Sequence, residues 1–163
     1  MPTEEHLAAF EAGVAEIAAC VLPVYRSADG WLERTRAGLV ALLAALDERP
    51  ETARALVIDS IGWGSAVIER RGELLETLAG VLDQGRNPST TAPDTAGENA
   101  VGASLSWIHR RLQDEGGPLV ELAPSLMSMI VHPYIGDGAA RHELERSKGA
   151  GFPVAGDSLL TRS

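Results

Sequence analysis

ASLSWIHRRLQDEGGPLVELAPSLMSMIVHPYIG, residues 103–136, decides the fold class. At a helical period it divides into two amphipathic helices joined by Gly116-Gly117-Pro118. Pro133-Tyr134-Ile135-Gly136 reads as a stop, because proline and glycine together cannot easily continue a helix. Just upstream of and within the first helix, Val101, Leu105, Ile108 and Leu112 share one stripe, and Ala100, Ser104, Trp107 and Arg111 form the adjacent one. On the second, Leu119, Leu122, Leu126 and Ile130 line up, with Ala123, Met127, Val131 and Tyr134 broadening the stripe. Together these faces exceed the arc of about 100° that a surface helix normally buries. The surplus must meet another layer, either within a larger monomeric bundle or on a second copy of the chain. The pattern favours a second copy: an antiparallel hairpin contributing to a dimeric four-helix bundle through Ala100, Ser104, Arg111, Leu122, Leu126, Met129 and Ile130. Pro124 removes the bond to the Val120 carbonyl, which predicts a kink or restart of the helix.

The remainder of the chain supports an all-α fold of about six helices. No β-branched alternation of strand length occurs, and core packing rests on Leu, Val, Ile and Ala, since there are only two Phe, two Tyr and three Trp. Thr3 can cap a first helix with Glu4 and Glu5 in its opening turn. Asp29 is the expected cap of a second helix ending near Asp47. Pro50 opens a short third helix that ends near Ile61–Gly64, and a fourth spans roughly 65 to 83. Residues 85–97, GRNPSTTAPDTAG, read as the one clear internal loop. The helical domain thus covers 1–136, and 137–163 is expected to be largely a mobile tail in which 139–148 has weak helical character.

A net charge of −9 disfavours non-specific binding to nucleic acid or acidic membrane. The densest basic pairs, Arg70-Arg71 and Arg110-Arg111, are flanked by acids and read as solvated helix faces. Cys20 is the one cysteine, which excludes an internal disulfide and a zinc knuckle. It reads as a buried spectator. With no basic leader and no stretch of about 18 uncharged apolar residues, a cytoplasmic protein without membrane contact is expected. His6, His109, His132 and His142 have no metal-site spacing, so neither metal nor cofactor is expected. Ser60, Ser104 and Ser125 lie in no nucleophile motif, Asp59 is a lone carboxylate, and there is no phosphate-binding glycine loop. The chain therefore does not read as an enzyme.

The ordered set FEAGV (10–14), DGWLERTRAGLVALLAAL (29–46), RPETARAL (49–56), ERRGELLETLAGVL (69–82), GASLSWIHRRLQDEG (102–116) and LVELAPSLMSMIVHPYIG (119–136) resembles the C-terminal effector-binding and dimerisation domain of TetR-family transcriptional regulators. The resemblance covers residues 4–136. The N-terminal helix-turn-helix module of that family has no counterpart in this sequence, so no direct DNA binding by this chain is expected. The resemblance implies that the last two helices form a homodimer bundle and that the earlier helices surround a ligand cavity. On that basis Phe10, Val14, Ile17, Trp63 and Trp107 are the expected lining, with Met127 as an adaptable wall, and the partner is a small apolar or amphipathic effector. Two further readings are an orphan module that heterodimerises with a full-length regulator, and a small-ligand-binding protein.

Overall fold

A computed structural model describes residues 2–87 and 90–149. Those residues form six α-helices and no strand: α1 (Pro2–Ser27), α2 (Gly30–Glu48), α3 (Pro50–Val57), α4 (Ser65–Asp83), α5 (Ala96–Asp114) and α6 (Ala123–Gly149). Short 3-10 turns at Asp59–Gly62 and Leu119–Leu122 link α3 to α4 and α5 to α6. The all-helical class and the bounds of α4 agree with the sequence pattern. Two expected caps do not form. Helix α1 already includes Thr3, and Asp29 stands at the N-cap of α2 without a side-chain cap bond.

Helices α1 and α2 pack as a pair, α4 and α5 form a second, and α6 lies on α2. The α4–α5 approach requires a glycine. A Cβ on Gly97 would collide with the Ala79 carbonyl oxygen and crowd Asp83. The main core gathers Leu43, Ala53, Leu119, Leu126, Met127 and Val131 at its centre, each at most 2% exposed. Phe10 and Val67 are buried as well, on α1 and α4.

Helix α1 is long and apolar enough, by length and composition, to cross a membrane. In this fold its Phe10 and Ile17 are buried. Its two mid-helix acids bond neighbouring arginines, Glu11 to Arg70 at 2.5 Å and Glu16 to Arg49 at 2.8 Å. Cys20 is half-buried rather than buried, its thiol donating to the Glu16 carbonyl.

The proline at 124 acts as the sequence predicts. The chain leaves α5 through Glu115 in the left-handed region, passes the 3-10 turn, and restarts as α6 with Pro124 in its first turn, where no N–H is needed. Pro133-Tyr134-Ile135-Gly136 does not stop the helix as expected. Pro133 removes the bond to the Met129 carbonyl, and Gly136 adopts φ 89°, ψ −179°, so the helix bends and resumes to Gly149. Residues 137–149 are therefore helical. Ala140 and Glu143 are buried, and Glu143 accepts both a 3.0 Å bond from Arg36 Nε and a second from Arg36 Nη2. The rest of the expected tail, 150–163, lies outside the described residues.

The Gly136 conformation belongs to a region that only glycine occupies without strain. Gly136→Val is expected to cost about 1–3 kcal/mol of stability, read as a lower urea midpoint. An unchanged midpoint would mean that α6 runs straight through residue 136.

Candidate functional site

The residues expected to line a cavity do not converge on one. Phe10, Ile17 and Met127 are 2%, 6% and 2% exposed and serve as core packing, while Val14 is half-buried. Trp63 lies after the 3-10 turn that follows α3, half-buried, and stacks on His6 with ring centroids 5.0 Å apart and planes 6° apart. Trp107 faces outward on α5, 39% exposed.

The expected interface residues also divide. Ala100, Leu126 and Ile130 are covered by the chain's own helices. Ser104, Arg111, Leu122 and Met129 stay half-exposed. The Ser104 hydroxyl donates to the Ala100 carbonyl at 2.7 Å, which keeps it on its own helix. Arg111 reaches the Pro118 carbonyl at 3.2 Å and Glu121 at 3.4 Å, bracing the turn into α6. The excess apolar surface of the 103–136 stretch is thus largely consumed by α2, α3 and α4. What remains outward is Trp107 with its half-exposed neighbours and, at the bend of α6, Ile135.

A cluster around Tyr134 was not legible in the sequence. The buried phenol donates to Asp83 Oδ1 at 2.8 Å, and its ring meets Trp31 edge-on at 5.3 Å. Trp31 Nε1 donates to the Leu82 carbonyl at 3.0 Å, so one residue from each of α2 and α6 closes on the end of α4. Arg86 pairs with Asp83 at 3.4 Å and lies over the Tyr134 ring, 5.8 Å from its centroid. The same guanidinium donates to the carbonyls of Ala92 and Pro93, which folds the described part of the 85–97 segment back on itself. That segment is shorter than expected because α5 begins at Ala96.

Beside this cluster a cleft of about 410 Å³ opens along Asn87, Thr91 and residues 132–136. Its ionisable lining groups are Tyr134 and His132, the latter exposed and paired with Asp137 across the bend in α6. Among the described residues no group of three or more His, Cys, Asp or Glu side chains is placed to hold a metal ion.

Of the two arginine doublets, Arg70-Arg71 divides. Arg70 pairs with Glu11, whereas Arg71 is half-buried and bonds the Val57 carbonyl. The sequence carried the signal: Val67, Arg71, Leu74 and Leu78 recur at helical spacing, which puts Arg71 on the apolar face of α4.

Comparison of the chain with family models, with curated proteins and with solved structures returned no match.

Burial, with the bond to Asp83 adding to it, pushes the Tyr134 phenol above the usual tyrosine range. The folded state therefore holds this proton more tightly than the unfolded state. The resulting stability is complete below the unfolded phenol's pKa of about 10 and is lost as pH rises through the folded value. In urea titrations from about pH 8 to 11, the wild-type midpoint should fall more steeply than that of Tyr134→Phe. Parallel slopes would mean that Tyr134 titrates like a free tyrosine.

Proposed function

We propose that this chain is the effector-binding and homodimerisation domain of a TetR-like transcriptional regulator. Its work in that reading is assembly and ligand response, without contact to DNA. The observation that carries it is Trp107, 39% exposed on α5 and on the same stripe as half-exposed Ser104 and Arg111. Helix α5 is buried on its other side through Val101 and Ile108, so a large indole left outward has no partner within the chain's own core. Half-exposed Leu122 and Met129 extend apolar surface onto the turn and helix that follow. Tryptophan is a favoured anchor of protein interfaces, and arginine is the common charged companion.

The reading revises which residues do the joining. Leu126 is fully buried, so Leu126→Glu would place a charge inside the monomer core and report on folding rather than association. Ala100 and Ile130 are likewise core residues. The association face is assigned to Ser104, Trp107, Arg111, Leu122 and Met129.

An effector acts in such a domain by binding one arrangement of the helices better than another, and its influence is limited to that difference in affinity. The net charge of −9 supports a role that does not require holding a phosphate backbone.

Light scattering of the purified chain should give about 34 kDa, twice the 17.2 kDa of one chain. Trp107→Glu should halve that mass while leaving the helical circular dichroism unchanged. A wild-type monomer at about 50 µM would overturn the dimer reading. A Trp107→Glu protein that remained dimeric would remove the indole from the interface.

A further inference from the structure

Beyond the bend at Gly136, α6 is an arm held to the fold chiefly by one ion pair. Of residues 137–146 only Ala140 and Glu143 are buried, with Ala139 half-buried. The body of the helix before the bend, by contrast, buries Leu126, Met127, Ile130, Val131 and Tyr134. Lifting the arm therefore exposes little apolar surface. Glu143 is 4% exposed and is the one buried acid among the described residues. Arg36 meets it with a fork, Nε donating to Oε2 at 3.0 Å and Nη2 donating to Oε1. Two further ion pairs lie at the surface: His132 with Asp137, 57% and 76% exposed, and Arg146 with Glu33 at 3.9 Å. Such exposed pairs contribute little, whereas a bidentate guanidinium bond to a buried carboxylate is among the stronger contacts available.

The joint at the base of the arm is permissive. Pro133 leaves the Met129 carbonyl without its helical bond, and Gly136 leaves the helical region at φ 89°, ψ −179°. Glycine reaches this conformation and the helical one without a Cβ clash, so rotation at 136 meets little resistance. Partial displacement is disfavoured, because it would leave Glu143 buried and unpaired. Complete release leaves 137–149 near the limit of about 12–15 residues below which an isolated helix is marginal in water. Release and melting of the arm thus coincide.

We propose that residues 137–149 form a latch, an arm that releases as one unit about Gly136 with the Arg36–Glu143 pair as its catch. Release frees the Arg36 fork and uncovers the edge of the core that Ala140 closes. It also loosens the wall of the cleft at Ile135 and Gly136. The arm then supplies a second arrangement of the chain that requires no unfolding of the main core. The latch belongs to a single chain and stands apart from the assembly reading above.

Hydrogen exchange of the full chain, followed by NMR in urea well below the unfolding midpoint, tests the proposal. The amides of 141–146 should share one opening equilibrium that is nearly independent of urea, since release exposes little surface. Those of 126–131 should exchange more slowly and accelerate with urea, as global unfolding requires. Glu143→Gln should raise the arm rates together by about tenfold or more, the scale of one lost hydrogen bond to a charged group. Gly136→Ala acts at the joint instead of the catch and serves if Glu143→Gln folds poorly. It strains the seated bend but not the released arm, and should raise the same rates by about fivefold or more.

Protection that declines residue by residue from 141 to 146 would mean ordinary fraying and would overturn the latch. Arm amides that followed the urea dependence of 126–131 would overturn it as well. Unchanged arm rates in Glu143→Gln would remove the catch, and unchanged rates in Gly136→Ala would remove the joint; either result defeats the proposal. None of these outcomes depends on the mass of the chain in solution, so the latch and the dimer reading fail separately.

Discussion

The carboxylate of Asp47 fixes how the two halves of the chain meet. It closes the last turn of α2 and accepts from the backbone N–H groups of Leu119 at 2.7 Å and Val120 at 3.0 Å. Those are the opening donors of the 3-10 turn, which has no side-chain cap of its own. A residue 72 positions upstream therefore does the work of a local cap. Bonds to a charged acceptor contribute on the order of 1.5–3 kcal/mol each, enough to choose one register of α6 over another. From that anchor α6 runs back along α2, and Tyr134 meets Trp31 near the opposite end. Beyond it, the bend at Gly136 returns the chain so that Glu143 reaches Arg36 rather than passing the end of α2. Three contacts of different chemistry thus hold one pair of helices.

The features legible in the sequence were those whose cause is local. Pro50 opens α3, Pro124 sits in the first turn of a restarted helix, and α4 spans 65–83 as its apolar spacing implies. The features that were not legible depend on distant partners. Gly136 suits a helix terminus and a hinge equally well from the local sequence. The outcome is decided by Arg36, 107 residues from Glu143, which gives the second segment a reason to stay helical. Asp29 and Thr3 are good capping types, yet neither caps its helix, because cap preference is weak beside the tertiary contacts that set where α1 and α2 begin.

The candidate site was read less well, for two reasons. Apolar periodicity tells that a face is covered but not by what. The broad stripes of α5 and α6 suggested a second chain, and three of the seven residues assigned to it are instead buried by helices of the same chain. A helix touched on more than one side, as α5 is by α4, α3 and α6, needs more than one apolar stripe without any partner molecule. The second reason is that adjacent residues point about 100° apart on a helix. Reading Arg70-Arg71 as a basic doublet merged an outward ion-pairing residue with an inward one.

Arginine is how this acidic chain connects its helices. Lysine occurs once, at 148, while Arg36, Arg49, Arg70 and Arg86 each reach an acceptor on another element or at the far side of a loop. A guanidinium can serve two acceptors in different directions, as Arg36 does for Glu33 and Glu143, and as Arg86 does for Asp83 and two loop carbonyls. A lysine ammonium is a single point and would satisfy one such acceptor with less directional control. With 23 acids against 14 bases, an anionic partner for any one arginine is abundant in the sequence. Arg71 still makes no ion pair among the described residues because its helical position aims it at an apolar face and the end of α3, away from the acids that crowd the surface. Its lack of an ion pair follows from geometry rather than from a shortage of acids, since the guanidinium turns to the Val57 carbonyl at the end of α3 instead.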